Sequence, residues 1–282
     1  MKHVFIVNPT SGVGRYEEVI HIVEEYFKDR PDDYEIHLTE YEGHALELSR
    51  QFAGDVIVYS VGGDGTAHEV LNGLQRGVSL AVIPVGTGND FWRMVDYEGD
   101  LRDIVCETIE GKTIEIDYGT ANGNRFLNCA NIGIDAEVNK FVNDFRYKWF
   151  PRNLVYIFGA IVELFRYKPV KIKIKMNEKE EEHKVILTSF MNGKWYGGGF
   201  QSAPKAELDD GLLDVCLVES IPFRKIPALL PKYYKGTHLD LKPVTYHQVD
   251  EVVIESDCVI PLGCDGEIFK YDTITIRLEK KA

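Results

Sequence analysis

The hydrophobic positions of this chain follow one grammar in its first part and another in the rest. Lys2–Val7 and residues 55–60 are apolar, β-branched runs of strand length, residues 34–39 alternate, and Ser79–Pro84 is a fourth run. Between them, Val19, Ile22, Val23, Tyr26 and Phe27 repeat at helical spacing. Residues 43–53 predict a second helix, Val70, Leu71 and Leu74 a third, and Leu101, Ile104, Val105 and Ile109 a fourth. Strands alternating with helices of this length predict an α/β domain, a parallel sheet with helices on both faces. Near Lys112 the pattern changes. Residues 113–118 and 125–130 flank Asn122-Gly123 as a hairpin, and Val170–Met176 alternates strictly. The polar run 177–182 reads as a connector to residues 185–190. Residues 212–218, 251–255 and 273–278 continue as strands. This predicts a mostly antiparallel β-sandwich or open barrel, with domains spanning 1–117 and 118–282.

Three glycine-bearing loops follow three of the first four strands: Asn8-Pro9-Thr10-Ser11-Gly12, Gly62-Gly63-Asp64-Gly65-Thr66, and Gly86-Thr87-Gly88-Asn89-Asp90. In a parallel sheet all three open on the rim beyond the carboxyl ends of the strands, where such sheets bind ligands. The second loop turns directly into a helix, so its backbone N–H groups form an anion site that glycines leave open to a phosphate. Asp64 is the odd member. A carboxylate there repels phosphate unless a divalent cation stands between them, which points to a nucleotide–metal site. The plainer reading makes Asp64 the cap of a glycine turn; the convergence of three loops favours the nucleotide.

Charge narrows the partners. The chain of 282 residues carries a formal net charge of −13, which disfavours nucleic acid. Residues 140–175 run the other way, with nine basic residues against two acidic. They enclose the apolar run 154–162, and aromatic and basic flanks of this kind suit an anionic bilayer surface; the plainer reading is a core helix with a solvated rim. Residues 223–235 are a second candidate edge for such contact. No apolar run reaches the ~18 residues of a membrane span. The chain opens on a strand rather than a charged-then-apolar leader, and its five cysteines form no metal spacing. The expectation is a cytoplasmic protein with reduced, mostly buried thiols that associates peripherally with membranes.

The three loops, extended by Pro84-Val85 and Phe91, stand in order with a distal Asp265-Gly266-Glu267. In that order they resemble the diacylglycerol kinase catalytic-domain family, which covers bacterial diacylglycerol and related lipid kinases and the sphingosine and ceramide kinases. GGDGT alone is shared with NAD kinases; the later loop and the Asp-Gly-Glu make the combination specific, and the likeness covers nearly the whole chain. It implies a Rossmann-like nucleotide domain followed by a β-rich domain with the active site in the cleft between them. It also implies an ATP- and Mg2+-dependent kinase acting on the hydroxyl of a membrane lipid, diacylglycerol first.

Carried over position by position, the resemblance puts ATP against Asn8, Pro9, Thr10, Ser11, Gly12, Thr39, Gly62, Gly63, Asp64, Gly65, Thr66, Ala67, His68, Glu69 and Thr87. Asp64 helps position the magnesium. Glu267 or Asp265 is the proton acceptor. A second metal loop is implied at residues 207–212, with the Glu207 carbonyl, the Asp210 side chain and the Leu212 carbonyl as ligands; the plainer reading is an acidic hairpin turn. His68 and Trp92 depart from the usual pattern. The loop Trp195-Tyr196-Gly197-Gly198-Gly199-Phe200 reads equally as a substrate-facing loop or a β-bulge. The rival readings are a kinase for a sphingoid base or ceramide, an NAD kinase-like enzyme, or a nucleotide-binding regulator without transfer. A homodimer through an exposed strand edge is a further expectation.

Overall fold

The computed structural model describes residues 1–12, 14–95, 97, 99–134 and 168–281. The chain divides into two units, Met1–Ile114 and Glu115–Ala282.

The first unit alternates β1 (Lys2–Val7), α1 (Arg15–Phe27), β2 (Asp33–Leu38), α2 (His44–Ser49), β3 (Val56–Gly62), α3 (Asp64–Gly73), β4 (Ser79–Pro84) and α4 (Leu101–Glu110). All sheet pairings are parallel, in the order β2-β1-β3-β4. The alternation of β1 decides the layers. Phe5 and Val7 face one way, into a core with Val19, Val23 and Phe27 of α1 and Leu101 and Val105 of α4. Val4 and Ile6 face the other, onto Ala45 and Leu48 of α2, Val70 of α3 and Leu74 just after it. The chain leaves β1 for β2 on one side and returns to β3 on the other. The loops after β1 and β3 therefore flank the point where strand order reverses, the crevice in which open α/β sheets take ligands.

The second unit is antiparallel: β5 (Tyr118–Ala121), β6 (Asn124–Phe126), β7 (Cys129–Gly133), β8 (Val170–Met176), β9 (Lys179–Met191), β10 (Leu213–Glu219), β11 (Val244–Val249), β12 (Glu251–Cys264) and β13 (Glu267–Glu279), with the helix α5 (Ile226–Tyr234) between β10 and β11, preceded by a 3-10 turn at Phe223–Lys225. The long strands β9 and β12 each pair with β8 near one end and β7 near the other, which closes a ring of four strands. β10 is buried on both faces: Leu213, Val215 and Leu217 enter one core, Cys216 and Val218 another.

Several boundaries differ from the sequence reading. Residues 113–117 form no strand, and Ile114 is 79% exposed, so the apolar alternation there faces no core. The polar run 177–182 is mostly strand rather than connector. Asn177 and Glu178 make the turn, with φ of 48° and 63°, and β9 begins at Lys179. Its glutamates face the lysines of β8, with Lys173 opposite Glu182 and its ammonium 2.6 Å from Glu180. This end of the basic block is neutralised across a hairpin. The remainder, including Lys140, Arg146, Lys148, Arg152 and the run 154–162, lies outside the described residues. None of the five cysteines forms a disulfide: Cys129, Cys216 and Cys264 are buried, Cys106 is partly buried and Cys258 exposed. Among the described residues no helix is long and apolar enough to cross a membrane.

Candidate functional site

The three glycine loops of the first unit are stitched to one another by backbone. Asn8 N donates to Val61 O at 2.9 Å, and Val85 N and Gly86 N both donate to Gly62 O, at 3.0 and 3.1 Å. Glycine is required where they cross. Gly12 has φ +67°, and a Cβ on it would sit 1.8 Å from Val85 O; a Cβ on Gly86 would meet Gly63 Cα at 2.4 Å. Side chains lock the same contacts. Asn8 donates its amide to Thr66 Oγ1 at 3.0 Å, while its carbonyl oxygen accepts from Thr10 N and Thr10 Oγ1 at 2.9 and 2.7 Å. Asn89 takes a left-handed φ of 52° and donates to Gly86 O. Buried Asp90 lies 3.4 Å from Arg93.

α3 begins at this junction. Its first intrahelical bond runs from Ala67 N to Gly63 O, so the amides of Gly65 and Thr66 point out of its N-terminal end, where the helix dipole favours an anion. Half-buried Asp64 is the first residue of the helix, and its Oδ1 accepts from Phe91 N at 3.2 Å. The carboxylate is thus tied to the third loop. Thr39 follows β2 on the same rim, its N–H held by Val7 O at 2.9 Å, and Thr87 is exposed in the third loop.

Three predicted nucleotide contacts stand differently. Ala67 and His68 are buried, at 1% and 5% exposure. Glu69 turns away from the glycine loops: Oε1 accepts from Gly43 N at 3.0 Å and Oε2 from Ala45 N at 3.1 Å, so it caps α2 from the neighbouring helix.

In the second unit Asp265 and Gly266 form the two-residue turn of the β12–β13 hairpin, with φ of 47° and 101°, and Glu267 follows as the first residue of β13. The two carboxylates are not equivalent. Asp265 Oδ2 accepts from Leu127 N at 2.6 Å, and Oδ1 from Asn128 N and Cys129 N at 3.0 and 2.9 Å. Its charge is spent on three amides of the segment leading into β7. Glu267, opposite Cys264, opens β13 half-buried.

The acidic loop 207–212 hangs on a residue that the sequence reading passed over. Asp117, fully buried, accepts from Gly211 N at 2.7 Å and from Lys281 N at 2.9 Å, and its own N–H donates to Leu208 O at 2.6 Å. A lone aspartate at the end of a run misread as a strand carries no signal for this. Asp210 is exposed, with Oδ1 accepting from Leu212 N at 2.9 Å. Among the described residues no group of three His, Cys, Asp or Glu side chains is placed to hold a metal. A cation here would rest on main-chain carbonyls with Asp210 as its charged ligand, an all-oxygen set that fits Mg2+ and excludes softer metals. Asp214 lies just beyond the loop, buried and hydrogen-bonded by the Tyr246 hydroxyl; burial pushes its carboxyl up to about 6, and the charges of Asp210 and Glu207 add to the rise.

The Trp195–Phe200 stretch is neither of its two readings in full. Gly197, Gly198 and Gly199 form a tight loop closed by reciprocal bonds between Tyr196 and Phe200, and both rings pack toward Tyr233 of α5.

Comparison with known proteins gives concordant likenesses. Residues 2–121 match the model of the diacylglycerol kinase catalytic domain, and residues 128–279 match the YegS C-terminal NAD kinase beta sandwich-like domain. The Bacillus subtilis protein YtlR is 30% identical, covering 94% of this chain and 92% of its own. A diacylglycerol kinase of Staphylococcus haemolyticus is 28% identical over 93% and 81% of the two chains. A solved structure from Bacillus anthracis superposes with a TM-score of 0.80 at 28% identity, covering 99% of this chain and 93% of that one. The crystal structure of a diacylglycerol kinase from the same organism gives 0.72 at 24% identity over 99% and 94%, a likeness of fold.

Proposed function

The chain belongs to the diacylglycerol kinase catalytic-domain family of lipid kinases, and from that premise we propose that it transfers the γ-phosphate of ATP, with Mg2+, to the hydroxyl of a membrane lipid, diacylglycerol giving phosphatidic acid. The observation that carries this reading is the junction of three glycine loops at the N-terminus of α3, with Asp64 fixed by the third loop at its mouth. Phosphoryl transfer asks little covalent chemistry of a protein and much positioning of charge. The outward amides of Gly65 and Thr66 suit phosphate oxygens, and Asn8 and Thr10 hold the first loop in register with that helix.

Asp64 is the carboxylate that would hold a magnesium ion, which when bound would supply neutralisation of the phosphate charge. Of the two carboxylates at the distal turn, Glu267 is assigned to the acceptor hydroxyl, because Asp265 is committed to three backbone amides. A lipid hydroxyl has a very high pKa, so Glu267 mainly orients it and takes the proton late. Asp210 and the carbonyls of Glu207 and Leu212 are the residues that would hold a second, structural Mg2+.

The test is transfer of radiolabel from [γ-32P]ATP to diacylglycerol, sphingosine, ceramide and undecaprenol in mixed micelles, with and without Mg2+. Labelled phosphatidic acid that requires Mg2+ is expected. Label on another lipid would keep the kinase and replace its substrate. ATP hydrolysis without any lipid product would overturn the reading.

A further inference from the structure

α5 has two faces. Ile226, Leu229 and Tyr233, at helical spacing, pack into the second core of the β unit. Tyr233 is fastened further, its hydroxyl 2.5 Å from Ser202 Oγ and its ring against Phe200 and His238. The outer face is of a kind that water does not select for. Pro227, Ala228 and Pro231 are exposed along its middle, Leu230 is half-buried, and Tyr234 is 51% exposed at its end. Exposed Arg224 and Lys225 precede this apolar strip, and exposed Lys232 and Lys235 close it.

The charge is one-sided. From Ser220 to Leu239 there are four basic residues and no acid, in a chain of net charge −13. Among the described residues none of the four makes an ion pair. This differs from β8, where Lys173 is answered by Glu180. Solvated lysines of ordinary surfaces are interspersed with acids; here a rigidly anchored helix presents an apolar centre between cations.

We propose that residues 224–235 are a docking surface for an anionic bilayer, with the strip of Pro227, Ala228, Leu230, Pro231 and Tyr234 laid into the headgroup region. Charge complementarity selects that occupant. Long basic side chains at the ends reach the phosphates while their stems follow the apolar strip inward, and a tyrosine at the margin suits the headgroup level. An acidic protein partner would meet the same cations, but the proline-rich strip between them offers it little hydrogen bonding. The purpose of the surface rests on the lipid-kinase reading, since an enzyme with a bilayer-borne substrate has to sit on that bilayer; its existence does not.

The experiment is sedimentation with vesicles of phosphatidylcholine alone or with phosphatidylglycerol, at low and high salt. It compares the parent with the variant Arg224→Gln, Lys225→Gln, Lys232→Gln and Lys235→Gln, each checked for an unchanged melting temperature. The parent is expected to pellet with anionic vesicles, less so as salt rises, and the variant to partition on the order of a hundredfold more weakly. A second variant, Leu230→Gln with Tyr234→Ser, should weaken binding without changing its salt dependence. Turnover of ATP on a dispersed short-chain diacylglycerol should be the same in all three proteins. Failure of that turnover in the parent would sink diacylglycerol as the substrate while the vesicle result still decides the surface. Equal vesicle binding by parent and quadruple variant, or no binding by the parent, would overturn the docking surface.

Discussion

Four carboxylates of this chain do four different things, and only their partners tell them apart. Asp265 receives three amides and Glu267, two residues on, receives none of them. Glu267→Gln should therefore lower kcat by two orders of magnitude or more while leaving ATP affinity and Tm in place. Asp265→Ala should instead cost about 3 kcal/mol or more of stability, because a charged acceptor shared by several amides is worth more than an ordinary hydrogen bond. Steady-state kinetics beside thermal melts separate the two; a Glu267→Gln enzyme with unchanged kcat removes that residue from the chemistry. Asp64→Asn should nearly abolish turnover in a folded protein, since the amide still accepts from Phe91 N but brings no charge to a metal.

Asp214 carries a prediction about pH. Its carboxyl is raised in the folded chain from 3.8 to about 6, chiefly by burial. The folded state thus holds the proton more tightly than the unfolded one. Its contribution to stability is fully present below about pH 4 and is lost as pH rises through 6. Asp214→Asn keeps an acceptor for the Tyr246 hydroxyl and should raise stability at pH 7.5 by on the order of 3 kcal/mol, with no gain at pH 4. Urea melts at the two pH values measure this, and equal gains at both would discard the titration argument.

At the scale of elements, apolar periodicity made most of the first unit legible, because each strand and helix there faces a core and spells its face. It failed where polar residues build structure for one another. Glu180 and Glu182 sit in strand with Lys175 and Lys173 of β8 opposite them, a cross-strand relation that no local window contains. β12 and β13 also run past the stretches that periodicity marks: β12 breaks register between Glu255 and Ile260, where Val259 is 60% exposed, and then returns to the core through Ile260, Leu262 and Cys264. Glu69 shows the same limit at a site. Sequence order places it beside the glycine loop, whereas its side chain caps α2, a partner 24 residues earlier. Glu69→Ala should therefore cost about 1–2 kcal/mol as a lost cap, and Glu69→Gln about half of that, since the amide oxygen can still accept from one N–H. If the KM for ATP rises in both variants with stability unchanged, Glu69 acts on the nucleotide directly.

At the scale of the molecule, the change of hydrophobic grammar near Lys112 reads as two units divided after residue 117, and the contacts of the chain divide it after Ile114. The residues in dispute decide where each unit ends in physical terms. Asp117 reads as the last residue of the first domain, since it closes a run with strand-like alternation. In the structure that run is irregular and exposed, and Asp117 is wholly buried in the second unit. There it holds the 208–211 loop on one side and Lys281, almost the last residue, on the other. One buried carboxylate thus ties together the beginning, middle and end of the β unit. A fragment spanning 115–282 should keep this clasp, and one spanning 118–282 should lack it and leave the amides of Gly211 and Lys281 without their acceptor. Two charge-assisted bonds of about 1.5–3 kcal/mol each are at stake, together with a buried packing group. For a unit of this size the shorter fragment should melt about 8–15 °C lower, and Asp117→Ala in the intact chain should lower the β unit's transition comparably. Equal melting of the two fragments would mean that the clasp is dispensable and that the boundary after residue 117 serves as well as the one after Ile114.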